Sequence, residues 1–174
     1  MNSFKIFPFI QFEIFKDEIS FVVHTKNIYE IIYLLKNHFN YQFKLLTCIS
    51  GIDFPKNIYR FNIAYELMSL VYNYRIRIKS FLNELVPTHS IQAIFSSSNW
   101  WECEIWDMFG IFFRGHYNLT KILTDYGFQG YPLRKDFPLS GFYESKYHYL
   151  KHRVIYENLE FAQEYRTFDF PINW

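Results

Sequence analysis

The sequence predicts an α/β (α+β) chain: a helix-backed mixed or antiparallel sheet followed by a long extended C-terminal arm. Two observations lead to this prediction. Residues 9–110 contain period-two apolar runs and a clear helical pattern, which are typical of strands and helices in one domain. After Gly110 this periodicity ends, although the chain remains rich in aromatic residues. We therefore predict an α/β domain over 1–113 and an arm over 114–174.

The first part gives the element order β-β-α-β-β-β-α. Two alternating apolar runs separated by Lys16 and Asp17 predict a hairpin. Asn27 and Glu30 resemble a capping box at the start of the first helix. A second hairpin is expected to turn near residues 71–73. The predicted strands are 9–15, 18–24, 41–49, 59–67 and 74–79, and the predicted helical segments are 27–40, 91–95 and 100–109.

Composition and charge exclude several classes of function. The net charge is +1, with basic residues scattered among acidic ones, which argues against a nucleic-acid partner. Cys48 and Cys103 are too few to ligate an iron–sulfur cluster. No stretch is long and apolar enough to predict a membrane-spanning helix. The aromatic content of 23% fits either a protein interface or an AT-rich genome, and both causes can act together.

The arm is too aromatic to remain free in water. From residue 114 onwards the sequence shows little sustained periodicity. Five of the six glycines lie within residues 110–141, at 110, 115, 127, 130 and 141. A structureless run of ~60 residues is anomalous inside a compact domain. Exposed aromatic surface marks contact sites. We therefore expect the arm to lie against a neighbouring protein.

Glu102, Glu104 and Asp107 are the densest acidic cluster. Such residues are suited to acid–base catalysis or metal binding. The alternative, which we favour, is a structural role on an amphipathic helix flanked by tryptophans. The histidines show no zinc-binding pattern. His116 follows a glycine, and we interpret it as a loop residue that orders backbone groups.

The segment 132–138 (PLRKDFP) is the most distinctive local string. Two prolines hold an extended backbone around Arg134, Lys135 and Asp136. One interpretation is a surface turn. The one that we favour is a rigid strap whose charged side chains bind a partner, with Phe137 as an apolar anchor.

A further stripe of basic residues is expected on the solvent face of the second hairpin, with Glu66 able to pair across the strands with Arg75 or Arg77. The stripe comprises Arg60, Arg75, Arg77 and Lys79.

Four motifs, in order along the chain, carry a resemblance to a known family. Residues 101–111 (WECEIWDMFGI) are similar to its WEREVWDMFGI block, and residues 122–128 to its ILTDYGF. Residues 130–141 (GYPLRKDFPLSG) are similar to its GHPLRKDFPLSG, and residues 163–170 (QEYRTFDF) to its QEFRxFDF. With these motifs the chain resembles the 30-kilodalton subunit family of respiratory complex I over nearly its whole length.

The chain departs from the family pattern at several positions. Cys103 stands where the family has Arg, Tyr117 where it has Pro, Thr120 where it has Arg, and Tyr131 where it has His. The final residues, 171–174 (PINW), differ from the family's SPW. Each lost charge removes a candidate for a salt bridge between subunits.

The resemblance implies a structural subunit of proton-pumping NADH:ubiquinone oxidoreductase. That complex passes electrons from NADH through FMN and iron–sulfur clusters to ubiquinone, at the mitochondrial inner membrane. In the family the arm embraces the 49-kilodalton subunit near the quinone site, in the matrix-facing peripheral arm of the complex. The resemblance therefore implies a hetero-oligomer and no catalytic, cofactor or metal residue on this chain.

Two alternatives stay open: the equivalent subunit of a related membrane-bound hydrogenase, and a free-standing enzyme that uses the acidic cluster. The candidate inter-subunit contacts are Glu102, Glu104, Asp107, His116, Arg134, Lys135, Asp136, Phe137 and Arg166.

Overall fold

The computed structural model describes residues 8–16, 18–162, 164 and 166–171. Contacts divide the chain into two units, Met1–Asp136 and Phe137–Trp174. The elements of the first unit are β1 (Phe9–Phe15), β2 (Glu18–Val23), a 3-10 turn (Thr25–Asn27), α1 (Ile28–Asn37), β3 (Leu45–Asp53), β4 (Phe61–Ser69), β5 (Tyr74–Leu82), β6 (Thr88–His89), α2 (Ser98–Phe109) and β7 (Phe113–Arg114).

The main sheet has five strands in the order β1-β2-β5-β4-β3. All neighbouring strands are antiparallel except β2 and β5, which run parallel. Strands β6 and β7 form a separate two-residue parallel pair. The predicted α/β class, the mixed sheet and the order of the main elements are therefore confirmed.

One face of the sheet packs against both helices. Tyr65 on β4 lies opposite Ile49 of β3 and Ile78 of β5, so these three side chains share a face. They belong to the same buried apolar cluster as residues from α1 and α2. The helical members of the cluster are Ile28, Ile31, Ile32, Leu35, Ile105, Met108 and Phe109.

The opposite face carries paired charges. Arg77 forms ion pairs with Glu66, as predicted, and with Glu18, while Lys79 binds Glu13. Arg60 does not belong to this stripe, because it binds Asp53 at the end of β3 and also Asp136. The predicted surface stripe is thus wrong at that position.

The second unit contains one hairpin within the described residues, formed by β8 (Tyr143–His148) and β9 (Arg153–Asn158). The sequence did not predict this hairpin, because its strands are only six residues long and neither of its faces is buried. Tyr143, Tyr147 and Tyr156 are all exposed. These tyrosines share one face of the hairpin with Val154, whereas the other face carries Glu144, Lys146, Arg153 and Glu157.

Three local predictions differ from the structure. Asn27 begins α1 without a side-chain capping hydrogen bond. Residues 91–95 form a turn rather than a helix, held by the Phe95 N–H to Ile91 carbonyl bond of 2.9 Å. The strand predicted at 41–49 begins at Leu45 and continues to Asp53, because residues 38–43 form turns that close α1.

Ile32 tests the packing of α1. It is fully buried, so Ile32→Ala should lower the free energy of unfolding by about 2–5 kcal/mol, through lost apolar burial and the cavity left behind. The measurement is urea denaturation of the full chain. The same substitution at Ile58, which is 86% exposed, should change the value by less than about 0.5 kcal/mol. Equal effects at the two positions would contradict the assigned core.

Candidate functional site

Helix α2 places two carboxyl groups in the interior. Glu102 and Asp107 are both fully buried. The helix approaches the sheet closely because Gly51 of β3 has no side chain, and a Cβ there would come within 2.8 Å of the Phe109 ring. Each buried carboxyl needs hydrogen-bond donors, because an unpaired charge in the interior is costly.

Glu102 accepts hydrogen bonds at both of its carboxyl oxygens. The Ser90 hydroxyl donates to one oxygen at 2.6 Å, and the N–H of Ile91 donates to the other at 2.8 Å. Burial raises the pKa of Glu102, and the hydrogen bonds from Ser90 and Ile91 oppose this shift without cancelling it. Glu102 therefore takes up a proton more readily than an exposed glutamate.

His116 lies beside Glu102 with its side chain buried. Its Nε2 atom is 3.8 Å from Oε2 of Glu102 and 3.9 Å from Sγ of Cys103. The N–H of Asn118 donates to Nδ1 at 3.2 Å, which leaves the ring hydrogen on Nε2. Burial lowers the pKa of His116, and a hydrogen bond to the Asn99 backbone only partly offsets it. The neutral ring therefore packs against Glu102 as a polar neighbour rather than as an ion-pair partner.

Asp107 accepts hydrogen bonds from the segment that follows β7. Its Oδ2 atom receives three consecutive N–H groups, those of residues 122–124, at 3.2, 2.8 and 2.8 Å. Its Oδ1 atom receives the Thr124 hydroxyl at 2.6 Å. Burial acts to raise the pKa of Asp107, but these hydrogen bonds outweigh it and the pKa lies below its usual range. Asp107 thereby fixes residues 122–124 beside α2.

Asp53, at the end of β3, is a third buried carboxyl group. Arg60 donates to both of its oxygens, at 2.7 and 3.0 Å, and also to Asp136 at 2.8 Å. The N–H of Lys135 donates to Asp53 at 2.8 Å. The hydrogen bonds from Arg60 are the largest cause of the lowered pKa values of both aspartates. We call this group the strap junction, because it fastens residues 135–136 to the end of the sheet. Residues 132–136 form turns there, so the extended backbone predicted for this segment is wrong.

Arg134 closes the C-terminal end of α2. Its Nε atom donates to the Phe109 carbonyl at 2.7 Å, and the guanidinium also binds Glu84. The guanidinium carbon lies 4.5 Å from the centroid of the Tyr131 ring. Gly110 ends the helix with φ of +76°, and a Cβ there would lie 2.6 Å from the Tyr131 ring. Arg134 thus supplies a donor to a terminal carbonyl that no N–H within the helix can reach.

The remaining candidate contact residues are less engaged. The side chain of Glu104, half-buried on α2, has no hydrogen bond or ion pair with another side chain in the described ranges. Lys135 and Arg166 are exposed. Phe137, the first residue of the second unit, packs edge-on against Phe142 with ring centroids 5.4 Å apart. Contact of the nine candidate residues with another subunit stays a prediction.

The structure brings the candidate residues of the first unit into two groups. Glu102 meets His116 beside α2, whereas Asp136 belongs to the strap junction. Sequence reasoning missed Asp53, although a signal existed: it closes one strand and Arg60 precedes the next antiparallel strand, so the two charges meet across the connection. No sequence signal pointed to Ser90.

Metal binding and membrane spanning find no support in the part of the chain that the structure describes. Within these residues no three or more His, Cys, Asp or Glu side chains are grouped to hold a metal ion. No helix within them is both long enough and apolar enough to traverse a bilayer.

Asp107 and Glu102 should respond to pH in opposite directions. Folding lowers the pKa of Asp107, so its stabilising contribution is present above its ordinary pKa of 3.8 and is lost as the pH falls through the folded value. Asp107→Asn should therefore cost about 1–3 kcal/mol at neutral pH and less in acid. Folding raises the pKa of Glu102, so its contribution is present below 4.5 and is lost as the pH rises through the folded value.

Glu102→Gln should accordingly gain stability relative to the unmodified chain as the pH rises. The measurement is the free energy of unfolding in urea for both variants and the unmodified chain over the same series of pH values. If the two variants show the same pH dependence, the assigned environments of the two carboxyl groups are wrong.

The strap junction should be sensitive to Arg60. Arg60→Met leaves the buried Asp53 carboxylate without its guanidinium and should lower the free energy of unfolding by about 3 kcal/mol. The same substitution at Arg77, whose ion pairs are partly exposed, should cost less than about 1 kcal/mol. Urea denaturation of both variants provides the comparison, and a similar cost at both sites would argue against a buried pair.

Comparisons with known proteins agree on one family. The family model described as "Respiratory-chain NADH dehydrogenase, 30 Kd subunit" matches residues 21–143. An NADH-ubiquinone oxidoreductase subunit 9 from Reclinomonas americana is 45% identical over 176 residues, which cover 100% of this chain and 86% of the relative. A probable mitochondrial NADH-ubiquinone oxidoreductase 30.4 kDa subunit from Candida maltosa is 46% identical, covering 91% of this chain and 57% of the relative.

A solved structure shares the fold. A chain of the membrane-bound sulfane sulfur reductase, an archaeal respiratory membrane complex, superposes with a TM-score of 0.66 over 78% of this chain and 81% of that chain. At 21% identity this likeness concerns the fold alone. The family match over most of the chain and the relative that is 45% identical along its length show that this chain belongs to the 30 Kd subunit family of the respiratory-chain NADH dehydrogenase, complex I.

Proposed function

We propose that this chain is a structural subunit in the peripheral arm of proton-pumping NADH:ubiquinone oxidoreductase. It docks on the 49-kilodalton subunit near the quinone site, on the matrix side of the mitochondrial inner membrane. The observation that carries this proposal is the aromatic surface of the second unit. Phe161 and Phe170 are 87% and 84% exposed, and Tyr149 is 81% exposed.

Such a surface needs a protein partner. The second unit contains a two-stranded hairpin as its regular structure within the described residues, and an isolated hairpin is marginally stable in water. Aromatic side chains dominate the energy of protein interfaces when they enter pockets on a partner. The second unit is therefore the part of the predicted arm that we assign to subunit contact, while residues 114–136 lie within the first unit.

Among the candidate residues, the exposed ones are best placed to contact the partner subunit. Lys135 and Arg166 offer exposed cationic side chains, and Phe137 opens the second unit with a half-buried ring. Glu102, Asp107 and Arg134 contribute indirectly, because their in-chain hydrogen bonds fix the segments around which the partner closes.

The proposal places no catalytic, cofactor or metal-binding residue on this chain. FMN, the iron–sulfur clusters, NADH and ubiquinone would be held by other subunits. This is supported by the acidic cluster, because Glu102 and Asp107 are buried and bonded within the chain and present no acid–base surface to a substrate. The burial of these two carboxyl groups argues against a free-standing enzyme that uses them. The family match likewise favours the NADH enzyme over a hydrogenase subunit.

Truncation separates folding from docking. A chain ending at Asp136 keeps the donors to Asp107 and Asp53 and should retain a folded first unit, but it should fail to co-purify with the 49-kilodalton subunit. A chain ending at Phe113 loses those donors as well and should also lose stability. The measurements are co-purification from mitochondrial extracts and thermal unfolding of each truncated chain. Normal assembly of the chain ending at Asp136 would refute the docking role.

A matched pair of point variants avoids the large deletion. Phe161→Ser, in the second unit, should weaken co-purification about tenfold or more if that ring is an interface anchor. Phe39→Ser removes a ring of similar exposure, 76%, from the first unit and should leave co-purification unchanged. Equal losses for both variants would point to general destabilisation instead.

A further inference from the structure

The two faces of the β8–β9 hairpin differ in chemistry. Residues that lie opposite each other in an antiparallel pair project to the same face, so the register of the two strands fixes which side chains share a face. One face, which we call the tyrosine face, has no charged side chain and consists of Tyr143, Ser145, Tyr147, Val154, Tyr156 and Asn158. The other, which we call the charged face, consists of Glu144, Lys146, His148, Arg153, Ile155 and Glu157.

The charged face is balanced within the chain. It has two acidic and two basic side chains, and Lys146 forms an ion pair with Glu157. The hydrogen bond to Glu157 is the largest cause of the raised pKa of Lys146, followed by the charge of the same residue. Ile155, which lies opposite Lys146, is half-buried. A partner that covered this face would remove water from charges that are already paired, and this desolvation costs free energy.

The tyrosine face is apolar and exposed. Tyr143 is 57% exposed, Tyr147 50%, Val154 60% and Tyr156 62%. Tyr149, in the turn of the hairpin, packs edge-on against Tyr147 with ring centroids 5.4 Å apart, so the aromatic surface continues to the end of the hairpin. Single exposed apolar side chains are normal on a protein surface, but a group of them on one face marks a contact site.

The tyrosine face is too small to hold a second copy of this chain. Aromatic side chains bury about 150–250 Å² each when fully covered, so three tyrosines and a valine at these exposures offer roughly 300–500 Å². A stable contact between two proteins takes about 800 Å² from each partner. The face therefore suits one part of a larger contact. Phe161 and Phe170, which are more exposed than these tyrosines, lie in the same unit and can supply another part.

We infer that the hairpin docks through its tyrosine face on a neutral, apolar surface of the 49-kilodalton subunit and keeps its charged face in water. This inference rests on the proposed function and adds an orientation to it. A face without charges is complementary to a partner surface without charges. Carbonyl or hydroxyl groups at the edge of that surface would accept hydrogen bonds from the tyrosine hydroxyls.

Cysteine labelling in the assembled complex tests the orientation. Val154→Cys and Arg153→Cys place a thiol at adjacent positions on opposite faces, in a chain that also carries Cys48→Ser, since Cys103 is buried. Both positions are exposed, so both thiols should react with a maleimide at similar rates in the free chain. In complexes captured through the 49-kilodalton subunit, the thiol of Val154→Cys should react about tenfold more slowly, whereas that of Arg153→Cys should change by less than about twofold.

A matched pair of charge substitutions provides a second measurement. Val154→Glu places a carboxylate on the tyrosine face and should lower co-purification with the 49-kilodalton subunit about tenfold or more. Arg153→Glu places the same group on the charged face, which stays in water, and should lower co-purification by less than about twofold. Similar losses for the two variants would contradict the assigned orientation.

The labelling outcomes separate the orientation of the hairpin from docking itself. Equal reactivity of the two thiols in captured complexes, or a slower reaction of Arg153→Cys than of Val154→Cys, overturns the inference. The proposed function stands in either case, because those complexes have assembled. Co-purification of the chain ending at Asp136 would instead remove the proposed function, and the inference with it.

Discussion

The close packing of α2 on β3 is the constraint on which the rest of the first unit depends. Gly51 allows the Phe109 ring to lie directly on the strand. This brings the polar residues of α2 into the interior together with its apolar ones. Glu102 and Asp107 must then find donors inside the chain, and they find them in the turn at residues 90–91 and in the segment 122–124. The irregular part of the unit is thus ordered by carboxyl groups that the helix buries.

The sequence predicts the regular elements well because the sheet has one apolar face. The alternation on β4 and β5, and the Glu66–Arg77 pair across them, are local patterns with a direct structural meaning. The candidate site is less predictable. An acidic residue such as Asp107 looks the same in a sequence whether it meets solvent, a partner or three backbone N–H groups, because the donors lie far along the chain.

The hairpin of β8 and β9 escaped prediction for a different reason. Its tyrosines lie on one face and its charged residues on the other, but neither face is buried and each strand has only six residues. Asn27 shows a further limit of prediction from sequence. A capping-box sequence allows a side-chain hydrogen bond at the start of a helix, but the Asn27 side chain does not form one. Where pairing is long-range, as between Asp53 and Lys135, only the three-dimensional arrangement identifies the partners.

Charged residues and aromatic residues have different roles in the two units of this chain. Among the charged residues of the family motifs, Glu102, Asp107 and Arg134 form hydrogen bonds inside the first unit. The second unit has highly exposed rings, among them Tyr149, Phe161 and Phe170. This difference agrees with the proposed function, in which the second unit supplies the surface that contacts the partner.

The Arg60–Asp136 bond has a consequence for the rate at which such a subunit assembles. Asp136 is the last residue of the first unit, so the chain leaves from an anchored point rather than from a loose connection. In the proposed assembly, a contact of the first unit with the partner would hold the following segment at a high effective concentration near its own binding surface. The later contacts would then form as intramolecular steps.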